Sequence, residues 1–409
     1  QEEFTRHLDR RIPALMYDYE IPGLAVALIK EGQPVWSGTY GYADLEAGRE
    51  MTENTTYRFE SISKSVTAWG VMKLVEEGKI DLDTQVLEYI SSWKPPKTKY
   101  SWEKITVRSL LSGSAGLPLG VVGVHYPPGT EDIPSLKDYL DENAYPFREP
   151  GTSFFYSNVG FNLLELLIEE VTGRDFSEYM DAEVLTPLGM DTASFGWKKA
   201  WRADGERPMA NGYGYGGRPI PPYVYSYHAA GALSGTLEDV SAFAAAGMPE
   251  FGNTHRGVLS RESIEPMYTP AAEMTGYYQF VFGSYGFGHF IEYLSEAEAD
   301  KKVGKGVKAV SHGGQGSGWM TDFHVIPETG DGIIILSNSQ RTWPAFGYIL
   351  TDWAGWLGYS SIGMGVIITV QKVAWVFTAA VLLCSGLLLW GFIGGLIRGS
   401  RQFAPLARK

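Results

Sequence analysis

The chain has 409 residues, a fifth of them charged and 13% aromatic, with a formal net charge of −13. That composition is globular and not disordered, and the length holds two domains or one large one with insertions. The acidic balance, without any basic patch interleaved with aromatics, argues against nucleic acid as a partner. The single cysteine, Cys384, rules out an intrachain disulfide and a cysteine-ligated zinc site, and the seven histidines show no HExxH or His-x3-His spacing, so neither metal nor cofactor is expected.

Residues 2–19 carry apolar side chains at Phe4, Leu8, Ile12, Leu15 and Met16, the spacing of an amphipathic helix, which Ile21-Pro22-Gly23 ends. LAVALIK and PVWSGTY, split by Glu31-Gly32-Gln33, read as a β-hairpin. A helix starts near Ser61 and stops at Gly78, with Ile62, Val66, Trp69 and Met72 as its buried stripe. From about 80 to 250 the pattern is helix and loop, with a clear helix over 158–173. NGYGYGGRP, 211–219, matches G-x-G-x-x-G but opens no helix, so it reads as a loop. Strands return around 279–292 and in KAVSHGG, WMTDFHVIP and GIIILSN, 308–338, before an amphipathic stretch over 342–358. Strands at both ends with helices between predict an α/β (α+β) head. Its antiparallel sheet is built from both ends, beside a central helical subdomain, with a ligand cleft between the two.

The head, residues 1–358, is followed by a juxtamembrane segment, 359–372, and then by 25 residues without a charge, Val373 to Ile397. As a helix these span roughly 37 Å, enough to cross a hydrocarbon core, with Trp375 and Trp390 near the two interfaces. Five basic residues and no acid follow Asp352, leaving −18 on the rest. The positive-inside rule places the tail, 398–409, in the cytoplasm and the acidic head outside, in a periplasmic or extracellular space, with a lipid bilayer as partner. An exported head fits a chain that starts at Gln1 without a leader.

Three motifs carry chemistry. Ser61 and Lys64, three apart, share one face of a helix. Serine needs a base, and lysine becomes one when burial and the positive end of a helix dipole lower its pKa. The alternative is a serine N-cap with a surface lysine. Tyr156-Ser157-Asn158 stands before the helix at 158 and offers a phenol and an amide; the alternative has Asn158 as the cap and Tyr156 in the core. His312-Gly313-Gly314 ends a strand, and its glycines let a substrate backbone approach; the alternative is a glycine-rich turn.

In this order the three motifs resemble the penicillin-recognising serine hydrolases: class C β-lactamases, DD-peptidases, and the related D-aminopeptidases and esterases. LLSGSAGLP resembles that family's LLTHTSGLP, with Gly113 where histidine is usual, and PGTSFFYSN resembles its PGT-x-F-x-YSN. TPLGMDTASF, 186–195, and AAGALSGTLEDVSAF, 229–243, resemble two further stretches, so the likeness runs from about residue 10 to 358. It implies a β-lactamase-like fold with Ser61 as the acylated nucleophile. Lys64 and Tyr156 would share the proton transfers, either one as base, and Asn158 would orient substrate or lysine. His312 would replace the lysine of Lys-Thr-Gly. The backbone N–H groups of Ser61 and Gln315 would form the oxyanion hole beside Gly313 and Gly314. A histidine is neutral more readily than a lysine, which favours substrates without the fixed anion of a penicillin.

SHGGQ, together with a head followed by a membrane segment, is similar to the membrane-bound prodrug-activating D-amino-acid peptidases, such as the colibactin-maturing peptidase. Those carry three membrane helices where this sequence shows one. The expected activity is a membrane-anchored serine peptidase cutting an amide beside a D-residue, in a small peptide or an N-acyl-D-amino-acid amide. The same site used on esters or β-lactams, and an inactive binding or sensor domain, stay open. No G-x-S-x-G occurs, which excludes an α/β-hydrolase.

Overall fold

The computed structural model describes residues 1–200, 208–248, 258–295, 306–360 and 362–401, so most of the basic tail, 402–409, lies outside the described residues. The opening helix α1, Glu2–Tyr19, buries the five apolar positions expected of it. The hairpin follows as β1, Gly23–Lys30, and β2, Gln33–Asp44, with a short β3, Arg49–Glu50. Helix α2 spans Ile62–Glu76, α3 Asn158–Thr172 and α4 Leu237–Ala246. The late strands are β4, Ala272–Glu273; β5, Ser284–Tyr285; β6, Phe290–Leu294; β7, Val307–Gly316; β8, Trp319–Ile326; and β9, Asp331–Ser337. Helices α5, Trp343–Trp356, and α6, Val366–Ile397, close the chain.

The nine strands form one antiparallel sheet in the order β3-β2-β1-β9-β8-β7-β6-β5-β4. The two chain ends meet where β1 pairs with β9, Val26 opposite Ile335 and Leu28 opposite Ile333. Alternation sends Ala25, Ala27, Phe323 and Leu336 to the face covered by α2 and α4, and Leu24, Val26, Ile333 and Ile335 to the face covered by α1 and α5. The sheet is thus the middle of three layers.

Two expectations are corrected. Helix α2 buries more than the stripe of Ile62, Val66, Trp69 and Met72: from Ile62 to Met72 every residue is buried. Small polar residues make that possible, since each finds a backbone partner across the helix surface. Ser65 donates to the Gly288 carbonyl at 2.6 Å, Thr67 to that of Ala229 at 3.0 Å, and Ser63 accepts from the Leu233 amide at 3.0 Å. The region 279–292 is not a continuous strand either. A 3-10 turn occupies Gly276–Phe280, and pairing begins only at Ser284.

Helix α6 starts seven residues before the uncharged run, and its first turns belong to the head. Ile362 and Met364 are buried in the α1/α5 core, Ile368 is buried beside Gly347, and Tyr19 donates to Gln371 at 3.2 Å. Gly363 sits so tightly that a Cβ there would stand 1.7 Å from the Val281 carbonyl oxygen. Gly363–Ile397 is long and apolar enough to cross a membrane.

Candidate active site

Glu60 takes φ 51, a left-handed backbone that is costly for a side chain of its size, and turns the chain abruptly into α2. Its carboxylate is held on three sides: Arg58 Nε and the Tyr223 hydroxyl donate to it at 2.9 Å each, and the Tyr225 hydroxyl at 2.8 Å. Ser61 follows at the N-cap position, yet its hydroxyl caps no amide of the helix. It accepts instead from Lys64 Nζ at 3.0 Å.

Lys64 is fully buried, with Nζ also donating to the Ala230 carbonyl at 2.6 Å and lying 4.9 Å from the centre of the Tyr156 ring. Burial lowers its ammonium to about 7, with the Glu60 carboxylate pulling the other way. Tyr156 lines the same cavity as Ser61; burial, with Tyr285 adding to it, pushes its phenol well above the ordinary value. Of the two candidate bases, the amine is the one that gives up its proton readily near neutrality.

Ser157, not Asn158, caps α3: its hydroxyl accepts from the Gly160 amide at 2.9 Å and donates to the Pro118 carbonyl at 2.6 Å. The Asn158 side chain is thereby left to line a cavity of about 490 Å³ together with Ser61, Tyr156, Gly313, Gly314 and Gln315. Strand pairing of β7 with β6 ends at Ser311 opposite Phe290, so residues 312–316 present an open edge beside Ser61. Glycine is required on that edge. A Cβ on Gly314 would stand 2.1 Å from the Phe59 carbonyl, and one on Gly316 2.2 Å from Glu60 Cδ. The Ser61 amide donates to no acceptor among the described residues, and Gln315 Nε2 donates to the Tyr215 hydroxyl at 3.1 Å.

His312 departs from the expectation of a substrate contact. It is fully buried and does not line the cavity. Its Nδ1 donates to the Gly313 carbonyl at 2.8 Å, and its ring packs 4.9 Å from Phe290 and 6.0 Å from Tyr156. Burial, and then Lys64, hold it well below the ordinary imidazole value. It is a neutral wedge behind Tyr156, because strand alternation turns residue 312 toward α2 while 313 faces the other side.

Three residues escaped the sequence reading. Glu60 looked like an ordinary acid at a helix start. Glu165, buried in α3, accepts from the amides of His228 and Ala229 at 2.7 Å each and so fixes the loop whose next carbonyl holds Lys64. Its signal was an acid inside the apolar run LLELLIEE. Asp322 lines the cavity from β8; in WMTDFHVI it shares a face with His324, two polar residues where a buried strand carries none. Among the described residues no group of three His, Cys, Asp or Glu side chains is placed to hold a metal ion.

The Beta-lactamase family model matches residues 8–350. Esterase EstB of Burkholderia gladioli is 28% identical over 264 residues, 57% of this chain and 67% of that protein. Protein flp of Staphylococcus aureus is 27% identical over 181 residues, 43% of this chain and 35% of that protein, so the match spans about a third of that relative's length. An octameric penicillin-binding protein homologue from Pyrococcus abyssi superposes with a TM-score of 0.71 at 29% identity, covering 87% of this chain and 77% of that one. The likeness to the prodrug-activating branch is not carried by any of these three. With its model matched over most of the length and the Ser-Lys-Tyr cluster in place, the chain belongs to the Beta-lactamase family of serine hydrolases.

Proposed function

We propose that this chain is a membrane-anchored serine hydrolase that forms an acyl-enzyme on Ser61 and acts first of all on amides beside a D-residue. The observation that carries the reading is the buried Lys64 amine, 3.0 Å from the Ser61 hydroxyl and poised near neutrality. Neutral Lys64 takes the Ser61 proton as Oγ attacks the carbonyl carbon. The oxyanion is met by the Ser61 and Gln315 amides. The C–N bond then breaks, and the leaving amine takes that proton, handed on through the Tyr156 hydroxyl. Water attacks the ester, its proton returning by the same groups, and frees Ser61. Asn158 orients the acyl group from the cavity wall. The apolar helix α6 supplies the anchor, with the head outside the cell.

The preference for a D-residue amide rests on the motif likeness to D-aminopeptidases and their membrane-bound relatives. A second reading, ester hydrolysis at the same site, is favoured by the relation to an esterase. The test is a panel: a D-amino-acid anilide, an N-acyl-D-asparagine amide, a short aryl ester and a chromogenic cephalosporin, offered to the intact protein and to Ser61→Ala. Turnover of the D-amides above their L-isomers, lost in Ser61→Ala, supports the first reading. Preference for the ester supports the second. Turnover that survives Ser61→Ala refutes both.

A further inference from the structure

Two carboxylates line the Ser61 cavity, Glu60 and Asp322, and among the described residues neither lysine nor arginine does. They are held differently. Glu60 is matched by Arg58 and two tyrosine hydroxyls. Asp322, 3% exposed, has only Oδ1 engaged, by His324 Nδ1 at 2.5 Å. Its Oδ2 accepts no hydrogen bond from the described residues.

Behind Asp322 lies a buried relay. His324 Nε2 stands 3.3 Å from Glu292 Oε1, and Glu292 Oε2 accepts from the Gly363 amide at 2.7 Å. Burial works against a charged imidazole here, but Asp322 and Glu292 outweigh it and lift His324 to about 10. Two acids thus share one cation. None of the three touches Ser61, Lys64 or Tyr156; they face the α1/α5 side of the sheet, and the catalytic cluster does not use them.

Oδ2 is open for a reason that can be read from the sheet. Asp322 pairs across the strands with Gly313, and a Cβ at 313 would stand 3.1 Å from Oδ2. Any side chain there would roof it over. Because β6 leaves β7 at Ser311, the cavity passes over the open edge by Gly313 and reaches Trp343 and Met364 on the far face. An unpaired carboxylate oxygen that opens into the cavity, on a residue otherwise buried, gains from a charged donor and rejects a second anion.

We propose that Asp322 Oδ2, uncovered by Gly313, is a recognition subsite for a primary ammonium group on the substrate. It deepens the hydrolase reading above, since it assigns a substrate class to the same cavity and rests on Ser61 as the nucleophile. The chain is then directed away from substrates whose recognition handle is a carboxylate.

Phenylboronic acids separate the two claims. Boron accepts Ser61 Oγ to form a tetrahedral adduct, the hydroxyl proton passing to Lys64, so the unsubstituted acid reads the nucleophile alone. Acids bearing an ω-ammonium tether at the meta position, of one to five methylenes, are compared with matched ω-carboxylate tethers. At one tether length the ammonium compound is expected to bind tighter than its carboxylate partner by about tenfold or more. Asp322→Asn is expected to collapse that ratio to within about threefold, and Gly313→Ala, which covers Oδ2 but leaves the relay intact, to do the same; Glu60→Gln is expected to leave it in place. A ratio unchanged in both Asp322→Asn and Gly313→Ala, or no ammonium preference at any length, overturns the subsite. Failure of the unsubstituted acid to bind overturns the nucleophile instead. In that event thermal shifts with n-butylammonium against butyrate, in wild type and Asp322→Asn, decide the subsite without Ser61: an ammonium-specific shift lost in Asp322→Asn supports it, and equal shifts refute it.

Discussion

Replacing Lys64 with methionine tests the site at its most loaded point. Burial lowers the lysine from 10.5 to about 7, which corresponds to roughly 5 kcal/mol in favour of the neutral amine. Between these two values the unfolded chain holds a proton that the folded chain does not. Stability therefore rises with pH across that window, and the full cost of the buried ammonium is present below about 7. Methionine keeps the length of the side chain and removes the charge. It also leaves the Ala230 carbonyl without its donor, a loss of about 1–3 kcal/mol. At pH 6 the variant is expected to be the more stable protein by roughly 2–4 kcal/mol. By pH 9 that advantage shrinks by roughly 3 kcal/mol, because the wild type has by then shed most of its penalty. Activity moves the other way. In wild type, kcat/KM on a reactive aryl ester should climb with unit slope up to a pH of about 7 and then level, and Lys64→Met should lose about a hundredfold or more. Urea unfolding and pH–rate profiles on the full chain measure both. A stability difference that is flat with pH, or an acid limb that lies far from neutrality, would refute the assignment of Lys64 as the buried neutral base.

Two further outcomes follow from the same geometry. Gly316→Ala places a Cβ 2.2 Å from Glu60 Cδ; displacing that carboxylate from Arg58 and its tyrosines should cost about 1–3 kcal/mol in thermal unfolding, whereas Gly216→Ala, with open space around it, should change stability by less than about 0.5 kcal/mol. For the orientation, protease added outside intact cells should remove the head while leaving the apolar C-terminal helix, and a head protected from that protease would reverse the inferred topology.

Periodicity made the outer elements legible. Helix α1 shows a clean four-residue repeat and ends at a left-handed Glu20 just before Pro22, and the hairpin β1–β2 declares itself through Glu31-Gly32. Ser61, Lys64 and Tyr156 were legible as types, because their chemistry needs an activated hydroxyl. Their convergence was not, since residues 64 and 156 meet only through packing of α2 on α3. Helix α2 misled because its small polar residues look solvent-facing until the backbone groups that satisfy them are in place. His312 misled for a different reason. Its ring turns toward α2, which carries Lys64, but is packed against Phe290 and Tyr156 and buried there, and a motif does not show which neighbours will cover a side chain. Asp322 lay outside every motif; only the cross-strand pairing with Gly313 shows that a carboxylate looks through the gap.

The join between head and apolar helix carries a consequence of its own. Gly363 is clamped between the Val281 carbonyl and the Glu292 carboxylate, and Met364, one residue on, forms part of the cavity wall. Among the described residues the wall of the crevice runs directly into the helix that follows. Set in a bilayer, such a mounting would hold the mouth of the crevice at one height and one bearing above the lipid, like a lamp on a stiff bracket, so that reach along the membrane normal becomes a property of the substrate and not of the enzyme.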